Sequence, residues 1–151
     1  MNHVEVIQLQ NTEEAVTVFA EFLTKQSSQF AVPLIGRVDI HANAQKLLRQ
    51  GYVFAATDQQ GMIRGIVAGY ANDMTSQRAF EALFVVDEKM RGTKVAQSLF
   101  SMQVEYCIKQ GMKVLTFSTN KKNLAAVAFY QKQIGIHIAD AGDELQYELI
   151  L

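Results

Sequence analysis

Arg91, Gly92, Thr93 and Lys94 stand between an apolar, strand-like run, Leu83-Phe84-Val85-Val86, and an amphipathic stretch that opens at Val95. A strand, a short polar loop and a helix in that order present backbone N–H groups to an anion. The first N–H groups of a helix lack intrahelical partners, and the aligned peptide dipoles put partial positive charge there. Diphosphate is a natural guest at such an end. Gly92 supplies the backbone freedom the turn needs, and Arg91 adds charge. The same loop also suits a plain strand-to-helix connection. Just upstream, Glu81 interrupts the apolar segment Ala79-Phe80-Glu81-Ala82-Leu83. Apolar surroundings raise a carboxyl pKa toward values useful for proton transfer. An exposed glutamate alternating with core residues fits the pattern equally well. Simple alternation puts Phe80, Ala82 and Phe84 on one face and Glu81 with Leu83 on the other.

Elements that would position these groups follow from periodicity. A strand is expected at Val4–Leu9 and a helix over about residues 12–27. There Asn11 and Glu14 have capping-box spacing, and Val16, Phe19 and Leu23 form one stripe. A second helix spans about 39–50, with Asp39 a candidate N-cap and Gly51 a candidate C′ residue. Strand-like runs follow at Tyr52–Thr57, Met62–Ala71 and Ala79–Val86, the first two joined by the turn "DQQG" at 58–61. The helix after the loop runs to about Gln110, with Val95, Leu99, Met102 and Tyr106 as its apolar stripe. Lys113–Thr119 reads as a buried strand, Asn123–Gln133 as a short helix, and Gly135–Ala139 and Leu145–Leu151 as closing strands. The order β-α-α-β-β-β-α-β-α-β-β predicts one α/β domain over 1–151, a mixed sheet with helices on both faces.

Beyond the loop, a strand ends in Ser118-Thr119-Asn120 and "NLAAVAFYQKQIG" follows at 123–135. Together the two segments resemble the GNAT N-acetyltransferase family. The coenzyme A loop of that family, Arg/Gln-x-x-Gly-x-Gly/Ala, falls on Arg91, Lys94 and Ala96, with Lys94 in place of the usual glycine. Its later motif, Asn-x-x-Ala-x-x-Phe-Tyr, falls on Asn123, Ala126, Phe129 and Tyr130. The resemblance implies a mostly antiparallel sheet with a splayed central strand. It implies that the backbone of 91–96 (Arg91, Gly92, Thr93, Lys94, Val95, Ala96) cradles the pyrophosphate of acetyl-CoA. Phe84, Val85 and Val86 would pair with the pantetheine arm, Asn123 would contact the cofactor nearby, and Tyr130 would protonate the leaving thiolate. A phenol of pKa near 10 can donate to a thiolate of pKa about 8.5.

The attacking amine must lose a proton, and Glu81 is the first candidate for its base. Tyr70, Asn72 and Asp73 end the preceding strand near the expected acceptor mouth, although Asn-Asp is also ordinary turn chemistry. Arg37, Asp39 and His41 open the second helix and are candidates to line that mouth, His41 being also an ordinary surface histidine. The segments "RVDIHANAQKLL" and "YANDM" are similar to GNAT proteins encoded with surface-polysaccharide enzymes, which implies an amino-sugar acceptor. A homodimer is the family's habit. A non-catalytic acyl-CoA sensor on the same fold is the alternative.

Bulk properties set the outer bounds. A net charge of −1 offers no basic field for nucleic acid, and no apolar run reaches the roughly 20 residues that span a bilayer. The N-terminus lacks the basic and apolar regions of a signal peptide, and one cysteine, Cys107, makes no internal disulfide. A cytoplasmic location is expected. The three histidines are isolated in sequence, so no metal site is expected. Cys107 lies mid-helix among apolar residues and reads as packing rather than as a nucleophile.

Overall fold

A computed structural model of the chain describes residues 4–27, 39–133 and 135–151. Its strands are β1 (Glu5–Gln8), β2 (Tyr52–Thr57), β3 (Ile63–Tyr70), β4 (Arg78–Val86), β5 (Val114–Asn120), β6 (Ile136–Ala141) and β7 (Glu144–Ile150). Its helices are α1 (Glu13–Lys25), α2 (Ile40–Gln50), α3 (Val95–Lys109) and α4 (Leu124–Gln131), in the order read from the sequence. The strands form one sheet, β1-β2-β3-β4-β5-β7-β6, antiparallel except between β4 and β5. Apolar faces of α1 and α2 pack on one side against Val53, Ile66, Leu83 and Val85. On the other side α3 and α4 pack against Tyr52, Phe54, Val67 and Phe117. No helix among the described residues is long and apolar enough to cross a membrane.

Local signals place most helix ends. Thr12, not Asn11, caps α1, its side chain accepting from the Ala15 N–H, because the first helical turn begins one residue later than the capping-box spacing suggests. Asp39 caps α2 through the Ala42 N–H, as its residue type predicts. Gly51 closes α2 in extended rather than left-handed backbone.

Two irregularities decide the site. First, β4 and β5 pair only at Arg78–Phe80 with Val114–Thr116; beyond those residues they diverge. This is the splay of the central strand. Second, the β3–β4 register slips: Ala68 pairs with Leu83 but Gly69 pairs with Glu81, leaving Ala82 as an extra residue. The bulge corrects the simple alternation. Leu83 and Val85 go to the α1–α2 face, while Glu81 joins Ala79 and Phe84 toward α3 and α4.

The stripe of α3 also differs from expectation. Val95, Leu99, Gln103 and Cys107, with Phe100, are buried, whereas Met102 and Tyr106 sit half-exposed at its flank. A polar side chain occupies the centre of the packed face.

Candidate active site

A cleft of about 440 Å³ opens where β4 and β5 part. Its walls are Phe84, Val85 and Val86 at the end of β4, Arg91, Gly92 and Thr93 of the loop, and Ala96 and Gln97 of α3. Asn123, Ala126, Phe129 and Tyr130 close it from α4. That volume lies within the roughly 300–1,000 Å³ typical of small-molecule sites.

The loop is built by its own residues. Gly92 has φ +79°, a left-handed conformation that side chains oppose. The Thr93 hydroxyl donates to the Met90 carbonyl and accepts from the Val95 N–H at 3.3 Å. The first i→i−4 bond of α3 runs from Ser98 N–H to Lys94 O, so the N–H groups of Ala96 and Gln97 precede the ladder at the positive helix end. Lys94 has φ −85° and is exposed, and it does not line the cleft. Its backbone has no need of the glycine that commonly stands there. Val95 turns its side chain into the core instead, 2% exposed.

Behind the cleft lies a buried polar chain. The Tyr130 hydroxyl donates to Glu81 Oε2 at 2.7 Å, and Gln103 Nε2 donates to Glu81 Oε1 at 2.8 Å. Gln103 Oε1 in turn accepts from the Tyr52 hydroxyl. Aromatic rings hold Tyr130 in the splay, with Phe117 at 4.5 Å and Tyr147 at 5.1 Å between centroids. Burial pushes the Glu81 carboxyl up to about 7, against the lowering effect of its two donors. Burial, then the Glu81 charge, pushes the Tyr130 phenol well above its ordinary value. A carboxyl that changes charge near neutrality, bonded to a phenol on a cleft wall, can pass a proton to a group in that cleft.

The sequence matches the acetyltransferase (GNAT) family model over residues 18–136. The chain belongs to the GNAT acetyltransferase family. No curated protein matches the sequence. A GNAT acetyltransferase from Staphylococcus aureus Mu50 has the same fold, with TM-score 0.78 and 16% identity over 99% of both chains. The PaiA N-acetyltransferase of Thermoplasma acidophilum, solved with coenzyme A, aligns with TM-score 0.75 and 15% identity over 99% of each chain. A Bacillus anthracis chain named for streptothricin acetylation, solved with acetyl coenzyme A, shares 21% identity at TM-score 0.57. That match covers 68% of this chain and 63% of its own. At these identities the likeness shows the GNAT fold.

Within this GNAT domain the nominated residues separate. Phe84, Val85, Val86, Arg91, Gly92, Thr93, Ala96, Asn123 and Tyr130 meet at the cleft. Asn123 also caps α4, accepting from the Ala126 N–H at 3.2 Å. Glu81 is only 6% exposed and sits behind Tyr130 rather than on the cleft wall. The described acceptor-side nominations, Tyr70, Asn72, Asp73 and His41, lie off the cleft. Asn72 donates to the Gln50 carbonyl at 2.8 Å, and Asp73 accepts from the Thr75 and Ser76 N–H groups, so both serve the turn after β3. Those N–H groups hold the Asp73 carboxyl below its usual range. Tyr70 is half-buried on the α1–α2 side, with Lys46 Nζ 5.9 Å from its ring. His41 faces a separate groove along α1, beside Thr17, Glu21 and Lys25. Arg37 lies outside the described residues. Cys107 is buried, and its thiol is pushed up to about 12.

Sequence reasoning missed Gln103 and Tyr52. Their signal was faint: Gln103 falls at four-residue steps from Leu99 and Cys107, a polar residue on an apolar stripe.

Proposed function

We propose that the protein transfers the acetyl group of acetyl-CoA to a primary amine of a small molecule, by direct attack in a ternary complex. The observation that carries this reading is Tyr130, which lines the cleft and bonds to a buried carboxyl group titrating near 7. The chain fits the co-substrate. Within residues 91–96 the N–H groups of Arg91, Thr93 and Val95 bond inside the loop, and those of Gly92, Lys94 and Ala96 are the ones that hold the pyrophosphate at the positive end of α3. The edge of β4 that faces β5 is unpaired beyond Phe80, and at Phe84, Val85 and Val86 it offers N–H and C=O groups to the amide-bearing pantetheine arm. Asn123 borders that arm. Backbone N–H groups of the same strand polarise the thioester carbonyl as its oxygen gains charge.

Direct attack by a neutral amine needs no enzyme nucleophile, and the buried Cys107 offers none. Tyr130 donates a proton to the departing thiolate. Glu81, the base candidate, has both oxygens engaged by Gln103 and Tyr130, so it exchanges protons with the reaction through the Tyr130 hydroxyl. Amino sugars are the acceptor class to which the sequence resemblance points.

Calorimetry with coenzyme A, then a thiol-release assay against nucleotide amino sugars, polyamines and amino acids, tests the reading. Tyr130→Phe should lower kcat by on the order of 10²-fold while coenzyme A affinity is largely kept. An unchanged kcat removes Tyr130 from the acid role. Coenzyme A binding without turnover on any amine makes the protein an acyl-CoA sensor instead.

A further inference from the structure

Gln103 is fully buried in the middle of an apolar helix face. A buried amide left without partners is costly, and Gln103 has one at each end. Its Oε1 accepts from the Tyr52 hydroxyl, so its Nε2 is the end that meets Glu81. Glu81 Oε1 is thereby held as an acceptor. Of the two carboxyl oxygens, Oε2 is left to carry a proton, and it lies 2.7 Å from the Tyr130 hydroxyl.

We propose that Gln103, anchored by Tyr52, is a positioning residue that confines the Glu81 proton to Oε2 and so aims the Tyr130 proton into the cleft. This rests on the acetyl-transfer reading above. With Glu81 ionised, Tyr130 donates to it and its proton is occupied there. With Glu81 protonated at Oε2, that oxygen donates instead, and Tyr130 accepts from it and turns its own proton outward. As the thioester carbon–sulfur bond breaks, its electron pair goes to sulfur. Sulfur takes the Tyr130 proton while the Tyr130 oxygen takes the proton from Glu81 Oε2. A thiol, a neutral Tyr130 and a Glu81 carboxylate result. A substrate ammonium gives up two protons over the whole reaction; one restores Glu81 and the other goes to water. Tyr130 never becomes a phenolate beside a buried carboxylate, a state that both burial and the Glu81 charge oppose. The titratable groups facing Glu81 are Tyr52 from β2, Cys107 from α3 and Tyr130 from α4, with Tyr147 of β7 behind Tyr130. None of them is cationic.

The test has two arms. In protein labelled with ¹³C at glutamate carboxyls, the Glu81 signal, assigned with Glu81→Gln, is titrated by NMR. Gln103→Met should move its midpoint upward by about one pH unit, because the carboxylate loses a donor. On an amine that the parent acetylates, kcat should fall as pH rises through the Glu81 midpoint. Gln103→Met should carry that limb upward and lower kcat on the order of tenfold, with the KM for acetyl-CoA unchanged. Tyr52→Phe keeps the amide but removes its anchor; it should move both readouts the same way, and it serves if Gln103→Met does not fold. A folded variant whose Glu81 midpoint stays put overturns the inference, as does a falling limb that ignores the midpoint. No turnover on any amine sinks the acetyl-transfer reading, and the aimed Tyr130 proton with it, while the titration still reports whether Gln103 holds Glu81.

Discussion

Gly92 and Lys94 sit two residues apart in one loop, yet backbone geometry makes opposite demands on them. Gly92 has φ +79° with no atom within 4 Å of an added Cβ, so an alanine there meets conformational cost rather than collision. Gly92→Ala should destabilise the fold by about 1–2 kcal/mol and weaken coenzyme A binding as the loop distorts. Lys94 has an ordinary φ of −85°, is exposed and is not among the residues lining the cleft. Lys94→Gly should therefore change the coenzyme A Kd by less than about tenfold, the effect of one charge-assisted contact. Thermal melts and calorimetry on the two variants check both statements. A glycine at position 94 that tightened binding far beyond this would mean that the lysine obstructs the pyrophosphate.

At the scale of elements, the slip between β3 and β4 turns a strand glutamate into a site residue. The slip depends on close approach at Gly69. A Cβ there would stand 2.0 Å from the Phe80 carbonyl oxygen and 2.7 Å from the Tyr52 hydroxyl. A backbone oxygen in a paired strand has little room to yield. Gly69→Ala should cost about 3 kcal/mol and disturb the Glu81–Gln103–Tyr52 contacts, lowering kcat as well as thermal stability. A variant that melts like the parent would show that the strands separate there more easily than the register implies. The splay is the complementary device: β4 and β5 part after Phe80, and Tyr130, packed against the rings of Phe117 and Tyr147, lines the cleft that opens there.

Across the whole molecule, the buried carboxyl couples stability to pH. Unfolded, Glu81 ionises near 4.5; folded, it keeps its proton until about 7. Below the unfolded value it is neutral in both states and its burial carries no charge. As pH rises through 7 the fold must hold a buried carboxylate, and the stability associated with the neutral form is lost. Glu81→Gln removes that dependence. Measured by urea unfolding, the parent should lose about 3 kcal/mol relative to Glu81→Gln between pH 4.5 and 8. Parallel curves for the two proteins would mean that water or a conformational change relieves the buried charge. The order of elements along the chain, the helix spans and the Asp39 cap were legible in the sequence, because periodicity and capping act between near neighbours in the chain. So were the loop around Gly92 and the Asn123–Tyr130 segment, each a continuous stretch of residues. The orientation of Glu81 was not legible, since a bulge arises only when one strand meets another. Nor was the Gln103 contact, which joins residues 22 apart, nor that of Tyr130 with Glu81, 49 apart. By itself the sequence determined which groups were available for chemistry. Tertiary packing decided which of them meet, because burial and partnership are properties of surfaces brought together from distant parts of the chain.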